Sequence, residues 1–101
     1  MTEQRTENDL IAEQVRGNFA RQIIENPLWT EFFDEMEKAL TKRMIDSDNP
    51  DYRDDCWRTL KILRRAHKEF EQALLTGRMA DIQLAEMQER RDAKKDRKRT
   101  H

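Results

Sequence analysis

The amino-acid sequence predicts an all-α protein, and three observations support this class. Residue types that favour helices, such as Glu, Lys, Arg, Gln, Leu, Ala and Met, dominate the 101 residues. The two glycines and two prolines are too few for the many turns of a β-sandwich or barrel. Apolar residues recur at spacings of three and four, the period of one face of an α-helix. Because 36% of the chain is apolar and 41% is charged, we expect a marginal core in a lone monomer.

An N-terminal helix is predicted at about residues 10–24. Its apolar face consists of Ile11, Val15, Phe19 and Ile23 at intervals of four, with Leu10 and Ile24 beside them. Gly17 lies within this helix and costs about 1 kcal/mol relative to alanine, so we expect the helix to depend on docking.

Two asparagine–proline pairs predict the starts of two further helices. The side chains of Asn26 and Asn49 can cap free backbone amides. Pro27 and Pro50 then fit the first helical position, where no amide hydrogen is needed. Each helix is therefore expected to begin at its proline.

The predicted ends of these helices give a hairpin of about 27–45 and 50–76. Gly77 suits the left-handed residue that closes many helices, so we expect the second arm to stop there. A short connection between helices of similar length makes them antiparallel neighbours.

Charge and composition divide the chain into a flexible N-terminus (1–9), a helical domain (10–87) and a basic, partly disordered C-terminal helix or tail (88–101). Residues 1–55 carry 14 acids and 7 bases, whereas residues 56–101 carry 7 acids and 13 bases. This asymmetry can serve contact between helices, head-to-tail association of copies or contact with an anion.

Aromatic and methionine residues are the predicted core, and they exceed what a two-helix hairpin can enclose. The residues expected to meet the N-terminal helix, a second copy or a partner are Trp29, Phe32, Phe33, Met36, Trp57 and Phe70. The sequence therefore predicts binding to protein, as a homo-oligomer or within a larger assembly.

The basic C-terminal segment is a candidate for non-specific contact with nucleic acid. Its bases are Arg90, Arg91, Lys94, Lys95, Arg97, Lys98 and Arg99. They suit salt-sensitive contact with phosphates, but no aromatic residues stand among them to stack on bases. The alternative interpretation is a solubilising helix end.

Catalytic, cofactor and metal sites are not expected. The chain has no glycine-rich phosphate loop and no paired-cysteine zinc spacing. A calcium loop starting at Asp46 would place Asp51 where a glycine is needed and Trp57 where a glutamate is needed. His67 is interpreted as a hydrogen-bonded interface residue, with His101 its only histidine counterpart, and Cys56 as a small buried apolar residue.

The predicted location is the cytoplasm, with no membrane contact. No apolar run approaches the roughly 18 residues that cross a bilayer. The N-terminal residues lack the apolar stretch of a signal peptide.

From residue 23 to about 84 the chain resembles small helical-hairpin proteins of tailed bacteriophages, encoded near DNA-packaging and head genes. The resemblance rests on residues 24–29 (IENPLW), 57–61 (WRTLK) and 74–80 (LLTGRMA). It implies a non-enzymatic structural or packaging role in the host cytoplasm or the virion. The alternatives are a small inhibitor or adaptor of a host protein and a non-specific nucleic-acid binder.

Overall fold

The computed structural model describes residues 5–99, with side chains up to residue 97, and these residues form three α-helices. α1 spans Glu7–Ile24, α2 spans Pro27–Asp46 and α3 spans Pro50–Arg99. The predicted all-α class is confirmed, as are separate helices at about 10–24 and 27–45.

α1 begins three residues before its predicted start because Thr6 caps it. The amide of Asp9 donates to Thr6 Oγ1 at 3.1 Å, and the amide of Thr6 donates to Asp9 Oδ2 at 3.2 Å. This reciprocal pair satisfies amides that would otherwise lack a partner at the helix start. The predicted flexibility of residues 1–9 stays a prediction, and residues 1–4 lie outside the described part.

The two asparagine caps are confirmed. Asn26 Oδ1 accepts from the amide of Leu28 at 2.9 Å. Asn49 Oδ1 accepts from the amide of Asp51 at 3.0 Å. Both prolines occupy the first position of their helix, where a missing amide hydrogen costs nothing.

The predicted end of the third helix at Gly77 is wrong. α3 continues through Gly77 to Arg99, and no glycine in the described part has a positive φ. Gly77 does not form a left-handed turn. Because it has no side chain, α1 can pack closely against α3 at this position. The helix also includes residues 88–99, and the partial disorder predicted for 88–101 stays a prediction.

α1 and α2 lie end to end along α3, and both run antiparallel to it. In α1, Glu7 pairs with Arg91 and Gln14 with Asp81. In α2, Glu37 pairs with Arg64, and Trp29 packs on Phe70. The predicted antiparallel hairpin is therefore confirmed for α2 and the first half of α3, while α1 covers the second half.

The molecule is a rod one helix thick. Its extents are 80 × 35 × 15 Å, and 15 Å is little more than the diameter of one α-helix with its side chains. The radius of gyration is 21.7 Å, against about 13 Å for a compact chain of this length. Each helix thus has only one helical neighbour along most of its length.

The core between α2 and α3 is small. Leu40, Cys56 and Leu60 are buried together, and Met36 and Met44 pack against them. The buried position of Cys56 confirms its interpretation as a small apolar residue.

The contact between α1 and α3 is built on small residues. A Cβ atom placed on Gly17 would lie 2.7 Å from Gly77 Cα, and a Cβ atom on Gly77 would lie 2.7 Å from Gly17 Cα. Ala20 and Ala80 are buried beside this point. The two backbones therefore touch, and only glycine fits at either position.

Truncation of Leu60 tests the core between α2 and α3. Leu60 is 1% exposed, so Leu60→Ala should lower the free energy of unfolding by about 2–5 kcal/mol in urea titration followed by circular dichroism. Ile62, two residues away, is 70% exposed, and Ile62→Ala should cost far less. Equal losses would show that the two faces of α3 are assigned wrongly.

Gly77→Ala tests the glycine contact because two effects oppose each other. Helix propensity alone favours alanine by about 1 kcal/mol. The new methyl group would meet backbone atoms of α1, and such overpacking costs about 1–3 kcal/mol. We expect net destabilisation in urea titration.

The matched control is Ala85→Gly, at an exposed position of the same helix, which should cost about 1 kcal/mol through propensity alone. Stabilisation by Gly77→Ala would mean that α1 does not approach α3 at this point.

Candidate protein-interaction site

The apolar face predicted for α1 is not the face that contacts α3. Val15 and Phe19 each lie two residues from Gly17, which is about 200° around a helix of 3.6 residues per turn. Both point away from α3, and Phe19 is 61% exposed. α1 packs instead through Leu10, Gly17 and Ala20, and the predicted face of Ile11, Val15, Phe19 and Ile23 is left exposed.

This exposed apolar surface continues from α1 onto α2. Leu28 is 72% exposed, and Phe32 is half exposed. An open notch of about 530 Å³ at the junction of the helices is lined mainly by Phe19, Ile23, Leu28, Trp29 and Phe32. We call the complete surface the α1–α2 edge, which consists of Ile11, Val15, Phe19, Ile23, Leu28 and Phe32.

Backbone hydrogen bonds hold the junction within this edge. The amide of Glu25 donates to Arg21 O at 2.9 Å, and that of Asn26 donates to Ile23 O at 3.2 Å. Asn26 is extended, and Pro27 starts the next helix. The two halves of the edge are thereby set at a defined bend.

The predicted association residues divide into two groups. Four of them are partly buried within the chain between α2 and α3: Trp29, Phe33, Met36 and Phe70. Phe32 belongs to the α1–α2 edge, and Trp57 is 41% exposed beside Met44 of α2. Much of the predicted aromatic surplus is therefore used inside the hairpin.

His67 joins the aromatic cluster between α2 and α3. Its ring is nearly parallel to that of Trp29, with centroids 6.1 Å apart, and Trp29 Nε1 donates to His67 Nδ1 at 3.0 Å. His67 Nε2 lies 2.8 Å from Glu71 Oε1. Both ring nitrogens thus have partners, which confirms the interpretation of His67 as a hydrogen-bonded interface residue.

Trp57 has two cations beside its ring. Lys61 Nζ lies 5.1 Å from the ring centroid, and Arg64 Cζ lies 5.9 Å from it. The ring is 41% exposed, and cation–π attraction favours this arrangement at a surface. Trp57 therefore has stabilising contacts within its own helix.

Sequence reasoning missed a second exposed apolar surface, on α3. Leu75 and Met79 each lie two residues from Gly77 and hence on the side of α3 opposite α1. Ile82 shares this side, and more than half of each side chain is exposed. We call Leu75, Met79 and Ile82 the α3 edge. Their spacing of four and three was a detectable signal.

The basic segment extends beyond the start of α1. Arg91 donates to Glu7 Oε2 at 2.5 Å, and this hydrogen bond, followed by the positive charge, lowers the pKa of Glu7. α3 then continues past α1, with Lys94 and Lys95 exposed. Arg90 and Arg97 are also exposed, while the side chains of Lys98 and Arg99 and all of His101 lie outside the described part.

No known protein family, curated protein or solved structure matches the chain. Within residues 5–99, none of the helices is long and apolar enough to cross a membrane. The described residues also contain no group of three or more His, Cys, Asp or Glu side chains placed to hold a metal ion.

Proposed function

We propose that this protein is a non-enzymatic assembly component that acts by binding another protein chain through the α1–α2 edge. The observation that carries the proposal is the outward orientation of the apolar face of α1. Burial of that face would stabilise a complex through the hydrophobic effect.

The size of the α1–α2 edge supports a binding role. Six large apolar side chains, each between about one third and three quarters exposed, follow one another along this edge. Together they present on the order of 500 Å² of apolar surface, near the upper end for a monomer and most of one side of a standard interface. Phe19 and Phe32, at the notch, fit the role of aromatic anchors.

The sequence resemblance supports a bacteriophage head or DNA-packaging assembly as the setting. The resembling segments include the start of α2 at the notch and the part of α3 that carries Leu75 and Met79. A rod with an exposed apolar edge suits docking along a larger protein surface. We therefore propose a phage assembly component, with a host-protein inhibitor or adaptor as the alternative.

Phe19→Glu tests the proposed function. A buried glutamate without a partner opposes docking, so the variant should lose co-sedimentation with capsid-sized particles in lysates of phage-producing cells. Wild-type protein should sediment with those particles in a sucrose gradient.

The matched control is Ile62→Glu, which introduces the same charge at an exposed apolar position outside the edge. It should co-sediment like the wild type. Equal behaviour of Phe19→Glu and the wild type would contradict the proposed use of the edge. Capture of a single host enzyme without any particle would favour the inhibitor or adaptor.

The basic segment gives a second candidate function, contact with nucleic acid. Lys94 and Lys95 lie on exposed helix beyond α1, where a phosphate backbone can approach. We expect binding to duplex DNA that weakens steeply as salt increases and that falls in Lys94→Ala/Lys95→Ala. A filter-binding salt series measures this, and affinity unchanged in the double variant would contradict the nucleic-acid role.

A further inference from the structure

The α3 edge is the centre of a longer heptad pattern on the exposed side of α3. The spacing between successive residues alternates between three and four. These residues, which we call the seam, are Arg65, Lys68, Gln72, Leu75, Met79, Ile82, Glu86 and Glu89. All eight residues are exposed, and Arg65, Lys68 and Gln72 also line an open cavity beside Glu13 and Arg16 of α1. This spacing is that of a helix which packs against another helix in a coiled coil. The seam is about 37 Å long at 1.5 Å per residue.

The charges along this seam are divided between its ends. Arg65 and Lys68 precede the apolar centre, and Glu86 and Glu89 follow it. Within the described residues, Lys68, Glu86 and Glu89 have no ion-pair partner, and Arg65 makes only an exposed contact of 3.7 Å with Glu69. The seam therefore offers free charges of opposite sign at its two ends.

We propose that the α3 edge binds the α3 edge of a second copy in an antiparallel pair, with the twofold axis at the level of Gly77. In this register Leu75 meets Met79 of the second copy, and Gln72 meets Ile82. Lys68 meets Glu86, and Arg65 meets Glu89, each twice by symmetry. The apolar layer at the centre and the charged layers at the ends then have complementary layers opposite them, and Gln72 lies beside Ile82. Each contact occurs twice, as a twofold interface requires.

Charge selects the antiparallel orientation over the parallel one. A parallel pair in register would place Lys68 against Lys68 and Glu86 against Glu86. Like charges facing each other destabilise helix pairs, whereas the antiparallel pair joins opposite charges at both ends. A second copy is thus the occupant that matches both the apolar centre and the charged ends.

This dimer goes beyond the function proposed above because it uses a different surface. The α1–α2 edges of the two copies would lie on the outer sides of the pair, and both would remain exposed. The dimer would present the proposed docking edge twice. Loss of the dimer and loss of docking are therefore separate observations.

Sedimentation equilibrium of the full chain tests the dimer. Wild-type protein should reach twice its mass of 12.3 kDa as concentration rises. Leu75→Glu/Met79→Glu should remain monomeric with its helical circular dichroism retained, since both side chains are exposed. Val15→Glu, on the α1–α2 edge, is the matched control and should dimerise like the wild type.

A charge exchange tests the antiparallel register. Lys68→Glu and Glu86→Lys should each raise the dimer Kd roughly tenfold, because each creates two like-charge contacts. The double variant Lys68→Glu/Glu86→Lys restores opposite charges across the axis and should recover the wild-type Kd.

Three results would overturn the proposal. The first is a wild-type monomer throughout the concentration series. The second is a dimer that Val15→Glu dissociates and Leu75→Glu/Met79→Glu leaves intact. The third is failure of the double charge exchange to restore an affinity that both single variants have lost.

Discussion

The contact between the Gly17 and Gly77 backbones determines how the rest of the molecule is arranged. A Cβ atom at either position would lie 2.7 Å from the α-carbon of the other glycine, so α1 can approach α3 this closely only through glycine. Because the contact at this point uses small residues, Val15 and Phe19 of α1 and Leu75 and Met79 of α3 lie on the opposite sides of their helices. The rod consequently has an apolar edge on α1 and another on α3, which a compact bundle would have buried.

The sequence predicts the helical segments because their signals are local. Asn26 and Asn49 cap their helices as expected, and the turn between α2 and α3 makes these helices antiparallel. The pairing of α1 with α3 depends on a contact across 60 residues, and no local pattern reveals it. Gly77 shows why local patterns are insufficient. A glycine after a helical pattern is typical of a helix end and equally of a close helix crossing.

The candidate sites are only partly predictable from the sequence, because their exposure depends on long-range contacts between helices. The excess of large apolar residues over the available core follows from composition, but which of them remain exposed depends on the side by which each helix packs. Trp29, Phe33 and Phe70 pack within the hairpin, while Val15 and Phe19 face solvent. Leu75 and Met79 were recognisable as apolar, but they could be assigned to an outer edge only once Gly77 was known to face α1.

An NMR measurement of the two glycines tests the contact between α1 and α3 most directly. The chain contains only Gly17 and Gly77, so selective glycine labelling gives two α-carbon signals. We expect a strong nuclear Overhauser effect between their α-protons, and it should persist when labelled protein is diluted with unlabelled protein, because both glycines belong to one chain. If both signals are assigned and no such effect is found, α1 does not pack on α3 through glycine, and the outward orientation of both apolar edges is wrong.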